Sequence, residues 1–220
     1  MINLFSNDII SKNNIEKLIN YFAKKDNWHK MDVNTGNLGY GWIHYGLIRV
    51  IRAKNVLCIG SRYGYIPAVC AMACKDNQFG QVDFVDAGFD MDDFEGPGDH
   101  WGGVGFWKKC NAKKYFEKFG LEKNIDLKVM KSVEYEKLNK GKKYGYIHID
   151  GDHSYEGVKS DFEMFWPKLE KGGFLAIHDI GSPDKDGNVY GTRQFWKEVS
   201  KKYKVAIEFI EDPGLGILQK

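Results

Sequence analysis

Asp150, Asp152 and His153 fall directly after the apolar run Tyr146-Ile147-His148-Ile149. Two acids and a histidine packed this closely exceed what a turn needs for capping. An imidazole titrates near neutrality and can take a hydroxyl proton, and carboxylates beside it can hold a cation. A second apolar run, Phe174-Leu175-Ala176-Ile177, ends in His178-Asp179. Earlier, Gly60-Ser61-Arg62-Tyr63-Gly64 follows Val56-Leu57-Cys58-Ile59, and Asp86 ends another apolar run about twenty residues past Gly64. A glycine turn with an acid at that distance can seat a nucleoside, the carboxylate accepting from the ribose diol. A dinucleotide turn requires glycine where Arg62 stands, so that the backbone can approach a pyrophosphate. The G-x-x-x-G spacing suits a ribose-bearing ligand without pyrophosphate, which points to S-adenosylmethionine rather than NAD.

These groups need strand ends to stand on. Val158, Phe162, Phe165 and Leu169 recur at helical spacing after Tyr155, with Ser154 as N-cap, so Asp150, Asp152 and His153 sit in a strand-to-helix turn. Pro167 should end or kink that helix, and Gly172-Gly173 stops it. The periodicity predicts strands over 54–59, 82–86, 125–130, 144–150 and 173–178, and helices over 65–75, 105–119 and 191–203. Two N-terminal helices precede them, the first with Ile15, Leu18, Ile19 and Phe22 as its apolar stripe, the second bearing Ile43, Leu47, Val50 and Ile51. Strands separated by helices imply a parallel sheet covered on both faces. The last strand, 204–210, meets Asp212-Pro213-Gly214, a turn short enough to allow only an antiparallel partner in Leu215-Gly216-Ile217-Leu218. The expected fold is therefore α/β: a Rossmann-like, doubly wound, seven-stranded mixed sheet with an antiparallel C-terminal strand, in a three-layer sandwich. One domain is expected over 1–220, with 1–53 a helical cap on a cofactor-binding core, 54–220.

The chain has 220 residues and a net charge of +2, which leaves no electrostatic footprint for nucleic acid. Its four cysteines lack paired metal-ligand spacing and read as reduced core thiols. No segment is long and apolar enough to span a membrane and no signal peptide opens the chain, so a cytoplasmic protein is expected. The acids Asp90, Asp92, Asp93, Glu95 and Asp99 suit a lid loop, and His44 and His100-Trp101 are candidates for an acceptor pocket. Asp184, Asp186 and Asn188 match part of a calcium loop whose other positions fail, and read as a turn.

The run Val56–Tyr65 resembles the first motif of class I S-adenosylmethionine-dependent methyltransferases, and Ile149–Val158 resembles their small-molecule "methyltransferase 24" branch. Lys171–Asp179 is similar to that branch's fifth strand and Gly214–Ile217 to its last. The resemblance implies S-adenosylmethionine at Gly60, Ser61, Arg62, Gly64, Tyr65, Asp86, Ser132 and Asp150, with transfer to a hydroxyl of a small molecule, a sugar or a secondary metabolite. It implies His153 and Asp150 as catalytic residues, and Asp150, His178 and Asp179 as ligands if Mg2+ or another divalent metal assists. Imidazole in that set suits a transition metal better than magnesium. Cys58 stands where the family usually carries an acid for the cofactor's amino group, and Arg62 is bulkier than usual. Three alternatives stay open: a cofactor-binding module without turnover, an N-methyltransferase, and a metal-dependent hydrolase using Asp150, Asp152, His153 and Asp179. The acceptor's identity and the oligomeric state, a homo-oligomer included, are not encoded in any motif.

Overall fold

A computed structural model describes residues 12–24, 26–89, 105–183 and 190–220. The acidic loop, His100-Trp101 and the Asp184–Asn188 turn lie outside the described residues. In chain order the elements are α1 (Lys12–Phe22), α2 (Gly41–Ile51), β1 (Asn55–Ile59), α3 (Tyr65–Asp76), β2 (Gln81–Asp86), α4 (Phe106–Lys109), α5 (Ala112–Glu117) and β3 (Ile125–Val129). They continue with α6 (Ser132–Leu138), β4 (Tyr144–Ile149), α7 (Tyr155–Phe165), β5 (Leu169–His178), α8 (Thr192–Val199), β6 (Ala206–Phe209) and β7 (Leu215–Gln219).

The strands form one seven-stranded sheet in the order β3-β2-β1-β4-β5-β7-β6. The first five are parallel, and β7 enters antiparallel between β5 and β6. Alternation along each strand divides the apolar side chains between two cores. Val56 and Cys58 of β1, Tyr146 of β4 and Ala176 of β5 join α1, α2 and α3 on one face. Leu57 and Ile59, Ile147 and Ile149, and Leu175 and Ile177 join α7 and α8 on the other. Burial on both faces is why these strands read as continuous apolar runs. α3 lies between the sheet and the N-terminal helices and buries Tyr65 through Cys74 without a polar face. Pro67 is tolerated there because it falls in the first turn, whose N–H groups have no helical partner.

Several boundaries differ from expectation for local reasons. The helix expected over 105–119 breaks in two, because Asn111 is extended and its side chain accepts from the Lys114 N–H at 3.1 Å, capping a new start. α6 was not foreseen; Tyr135 docks it by donating its hydroxyl to buried Asp83 at 2.5 Å. Pro167 falls in a 3-10 turn that ends α7, and β5 begins at Leu169, before the two glycines. In α2 the buried residues are Gly41, His44, Tyr45 and Ile48, whereas Val50 is 81% exposed. Ile43, Leu47 and Ile51 of the expected stripe are partly buried against the core and only Val50 faces outward, because a helix apolar on several sides lets the neighbouring packing choose its most buried face.

The turn after β1 needs glycine. Gly60 has φ +73°, and a Cβ there would collide with the backbone carbonyl of Asp150. Gly60→Ala should therefore lower stability by about 2 kcal/mol or more in urea denaturation, left-handed strain plus displacement of the β4 end. Gly46→Ala, facing open space within α2, should instead stabilise by about 0.5–1 kcal/mol. Equal effects from the two variants would contradict this account of the turn.

Candidate active site

The carboxyl ends of β1, β2, β4 and β5 meet at one rim of the sheet. A cavity of about 560 Å³ opens there, lined by Gly60, Ser61, Arg62, Asp86, Ser132 and Asp150 among others. That volume is in the range of small-molecule sites. Phe89, Trp107, Met130, Val133 and Met164 give it apolar walls. A smaller cavity of about 120 Å³ adjoins it, with Trp28, His29, Tyr63, Tyr65, His153 and Tyr190 in its lining. Ser61, Arg62 and Asp150 border both cavities.

The glycine turn is held by its own hydrogen bonds. Ser61 Oγ accepts from the Gly64 N–H at 3.1 Å, and the Ser61 carbonyl accepts from Trp107 Nε1 at 2.8 Å. Asp86 receives the Ser61 N–H at 3.0 Å on one oxygen and the Gly88 N–H at 2.8 Å on the other. Burial pushes its carboxyl up to about 6, those two bonds opposing the rise. Gly64 does not reach the large cavity, since it caps α3 in a left-handed turn against the Trp107 ring. Tyr65 lines only the small cavity and donates its hydroxyl to the Leu38 carbonyl at 2.8 Å. Arg62 sends its guanidinium to Asp26 at 3.2 Å. Cys58 lines neither cavity and packs in the core with α3.

Asp161 was missed from the sequence. It sits on the buried side of α7 between Val158 and Phe162, lines the large cavity, and burial pushes it up to about 6 against a hydrogen bond with Ser132. An acid within an apolar helical stripe was the available signal. Asp152, by contrast, spends Oδ1 on the Ser154 N–H at 2.8 Å, while Ser154 caps α7 by accepting from Gly157 at 3.0 Å.

Between the cavities the chain gathers charge. His153 Nε2 lies 3.4 Å from Asp150 Oδ1 and 3.2 Å from Asp179 Oδ2. His178 Nδ1 lies 3.2 Å from Asp150 and 3.0 Å from Asp179, while its Nε2 donates to the Trp28 carbonyl at 3.0 Å. A carbonyl only accepts, so Nε2 carries a proton; Nδ1 faces carboxylates and carries the other. Burial alone would lower the His178 pKa, but Asp179 and Asp150 raise it well above the usual value. Burial would raise Asp150, yet the His178 cation and the neighbouring His148 and His153 rings hold it well below the carboxylate range. Asp179 is lowered against burial by His178 and His153, and His153 is raised against burial by the two acids.

His178 is thus a counter-ion with both nitrogens engaged. Of the metal set expected at Asp150, His178 and Asp179, His178 is engaged at both nitrogens, and the groups whose donor atoms all lie within 4.8 Å of one another are Asp150, His153 and Asp179. Asp179 reaches the site from a left-handed turn, φ +60°, and its other oxygen accepts from Ser182 Oγ at 2.8 Å. His44 lines neither cavity; it is fully buried, with Nδ1 2.6 Å from the Tyr146 hydroxyl. Its ring meets His148 at 4.8 Å, and His29 meets His178 at 4.3 Å. Burial pushes His29, His44 and His148 down, so those three rings are neutral near pH 7.

The sequence profile of the methyltransferase 24 family, a methyltransferase domain, matches residues 57–180. The uncharacterized protein y4gI of Sinorhizobium fredii is 23% identical in an alignment of 194 positions that covers 86% of this chain; the chain spans about a fifth (20%) of that curated relative's length. The O-methyltransferase TomG of Streptomyces achromogenes, involved in tomaymycin synthesis and solved with S-adenosylmethionine, superposes with a TM-score of 0.61 at 13% identity, over 95% of this chain and 89% of TomG. An O-methyltransferase from Bacillus cereus, solved with S-adenosylhomocysteine, gives 0.61 at 16% identity, over 99% of this chain and 94% of its own. At these identities the likeness is one of fold. Among the described residues no helix is long and apolar enough to cross a membrane. With a profile match running from β1 to the end of β5, more than half of its length, the chain belongs to the methyltransferase-domain family and has the class I methyltransferase fold.

Proposed function

We propose that this chain transfers a methyl group from S-adenosylmethionine to a hydroxyl of a small molecule, a sugar or a secondary metabolite. The whole of 1–220 would serve as one domain, with residues up to 53 covering the core. The observation that carries this reading is the meeting of two cavities at Asp150, with His153 and Asp179 beside it. The large cavity fits the cofactor: Asp86 for the ribose, Ser61 and Gly60 for the amino-acid part, Ser132 and apolar walls for the base. Bound there, S-adenosylmethionine supplies an electrophilic methyl on a sulfonium centre. Asp86 and Asp161 give its cationic parts an acidic surround. The aromatic rings of the small cavity exclude water from the acceptor.

His153 Nε2 is the atom available to take the acceptor's proton. The two carboxylates make it a stronger base once it is neutral, and the Tyr190 ring, stacked at 5.5 Å, holds its plane. The same donors fit a divalent ion. Asp150, Asp179 and His153 would hold it, and it would supply Lewis acidity toward a hydroxyl. An imidazole among two carboxylates suits Mn2+, Fe2+ or Zn2+ as well as or better than Mg2+. One nitrogen cannot bind an ion and receive a proton together, so His153 serves either as a ligand or as the base.

These alternatives separate in one set of assays on an accepted hydroxyl substrate. If His153 is the base, chelation leaves turnover intact and His153→Ala lowers it about a hundredfold or more. If an ion is used, chelation abolishes turnover, cofactor affinity persists, and adding divalent metal restores the rate. Turnover indifferent to both treatments would remove this site from the chemistry.

Asp86→Asn should weaken S-adenosylmethionine binding about tenfold or more by calorimetry, the scale of a charge-assisted hydrogen bond. The pH dependence follows in sign. Asp86 and Asp161 each sit at about 6, so both lose charge as pH falls through that value and affinity for the cationic cofactor falls with them. In Asp86→Asn the remaining slope should be shallower, carried by Asp161. An unchanged affinity and slope in the folded variant would refute the ribose assignment.

A further inference from the structure

β6 is the outermost strand, paired with β7 on one side only. The Val205 carbonyl accepts from the Gln219 N–H at 3.2 Å. Antiparallel alternation then turns the backbone groups of Val205, Ile207 and Phe209 toward β7 and those of Ala206 and Glu208 outward. Among the described residues no strand pairs with that outer edge. All four residues of β6 are exposed, Ile207 at 47% and Phe209 at 40%. Natural edges are normally blunted by central charge, proline or a covering element. Here apolar side chains run along one face, and the charge is graded from end to end. Lys201, Lys202 and Lys204 precede the strand, whereas Glu208, Glu211 and Asp212 occupy its far end.

We propose that β6 pairs antiparallel with β6 of a second copy of this chain, joining two seven-stranded sheets into one across a two-fold axis. Charge complementarity selects that occupant and that direction. Antiparallel self-pairing lays the basic end of one strand against the acidic end of the other, whereas parallel pairing would set like charges together. Centred on Ala206, whose N–H and C=O point outward, the pairing sets Lys204 opposite Glu208 of the partner subunit and Val205 opposite Ile207 of the partner subunit. Two-fold symmetry repeats each pair. Glu208 is held ready at the edge, since its Oε2 accepts from Trp196 Nε1 at 2.7 Å. The small side chain of Ala206 lets the strands close at the axis. The joint also lies near the site: Phe209 meets the Tyr40 ring at 5.8 Å, and Tyr40 meets His178 at 6.3 Å.

Sedimentation equilibrium on the full chain tests this. The wild type should be a dimer at micromolar concentration. Ala206→Pro removes an N–H that makes no bond within the subunit, a change edge strands tolerate, and should yield a folded monomer whose thermal transition, unlike that of the wild type, does not depend on protein concentration. Lys204→Glu should weaken the dimer about tenfold or more, and adding Glu208→Lys should restore it. Ala206→Cys should cross-link on mild oxidation, because paired Cα atoms at such an axis stand about 5.5 Å apart; Glu211→Cys should not. If Ala206→Pro fails to fold, the charge-reversal pair and the cross-link decide alone. A wild type monomeric across the micromolar range overturns the proposal. So does a dimer indifferent to Lys204→Glu that fails to cross-link through position 206.

Discussion

The buried imidazolium of His178 holds three parts of the chain at one point. Its Nδ1 faces the carboxylates that end β4 and β5, and its Nε2 is bound to the Trp28 carbonyl in the segment joining α1 to α2. Two carboxylates this close in a poorly hydrated place would repel each other and favour the neutral acid. The cation removes that cost, so both stay ionised and available on their remaining faces. The covering segment is bound by the same ring that supplies the charge. Loss of the ring would leave two buried anions with only His153 to compensate them, which is more damaging than loss of an ordinary contact.

The other rings around this point acquire their roles from it. His29 and His44 are buried away from the acids, and His148 has one carboxylate oxygen of Asp150 at 3.7 Å; in all three desolvation outweighs the acids, and they remain neutral. His153 sits where both acids reach it and is drawn the other way. One residue type thus provides neutral packing, a fixed countercharge and a reactive nitrogen within a single cluster, the difference being distance to Asp150 and Asp179. The same distances make base chemistry and metal binding compete for His153 Nε2.

Much of the site could be read along the chain because strand ends are local events. An apolar run that stops, followed by polar residues and a capped helix, fixes the side of the sheet on which Asp86, Asp150 and Asp179 emerge. The final antiparallel hairpin was legible for a similar reason, a turn too short to allow a crossover. Pairings between distant segments were not legible. The Trp28 carbonyl lies 150 positions from the ring it binds, and nothing near Trp28 announces it. Asp161 is intermediate: an acid in an apolar stripe is visible, but its cavity is visible only once α7 lies over the β1 turn.

α2 and His178 mark the boundary between what the sequence determined and what tertiary structure decided. The alternation of elements, the mixed sheet, the glycine turn and the acids at its rim follow from periodicity and turn chemistry, which act over a few residues. Which face of α2 is buried did not, because several faces are apolar enough and the choice belongs to α3 and the sheet beneath. Nor did the roles of His153 and His178 as reactive group and counter-ion. Both are histidines beside an acid, and their protonation is set by charges brought together from β4, β5 and the segment after α1. Electrostatic energy depends on separation in space, and that separation exists only after the chain has folded.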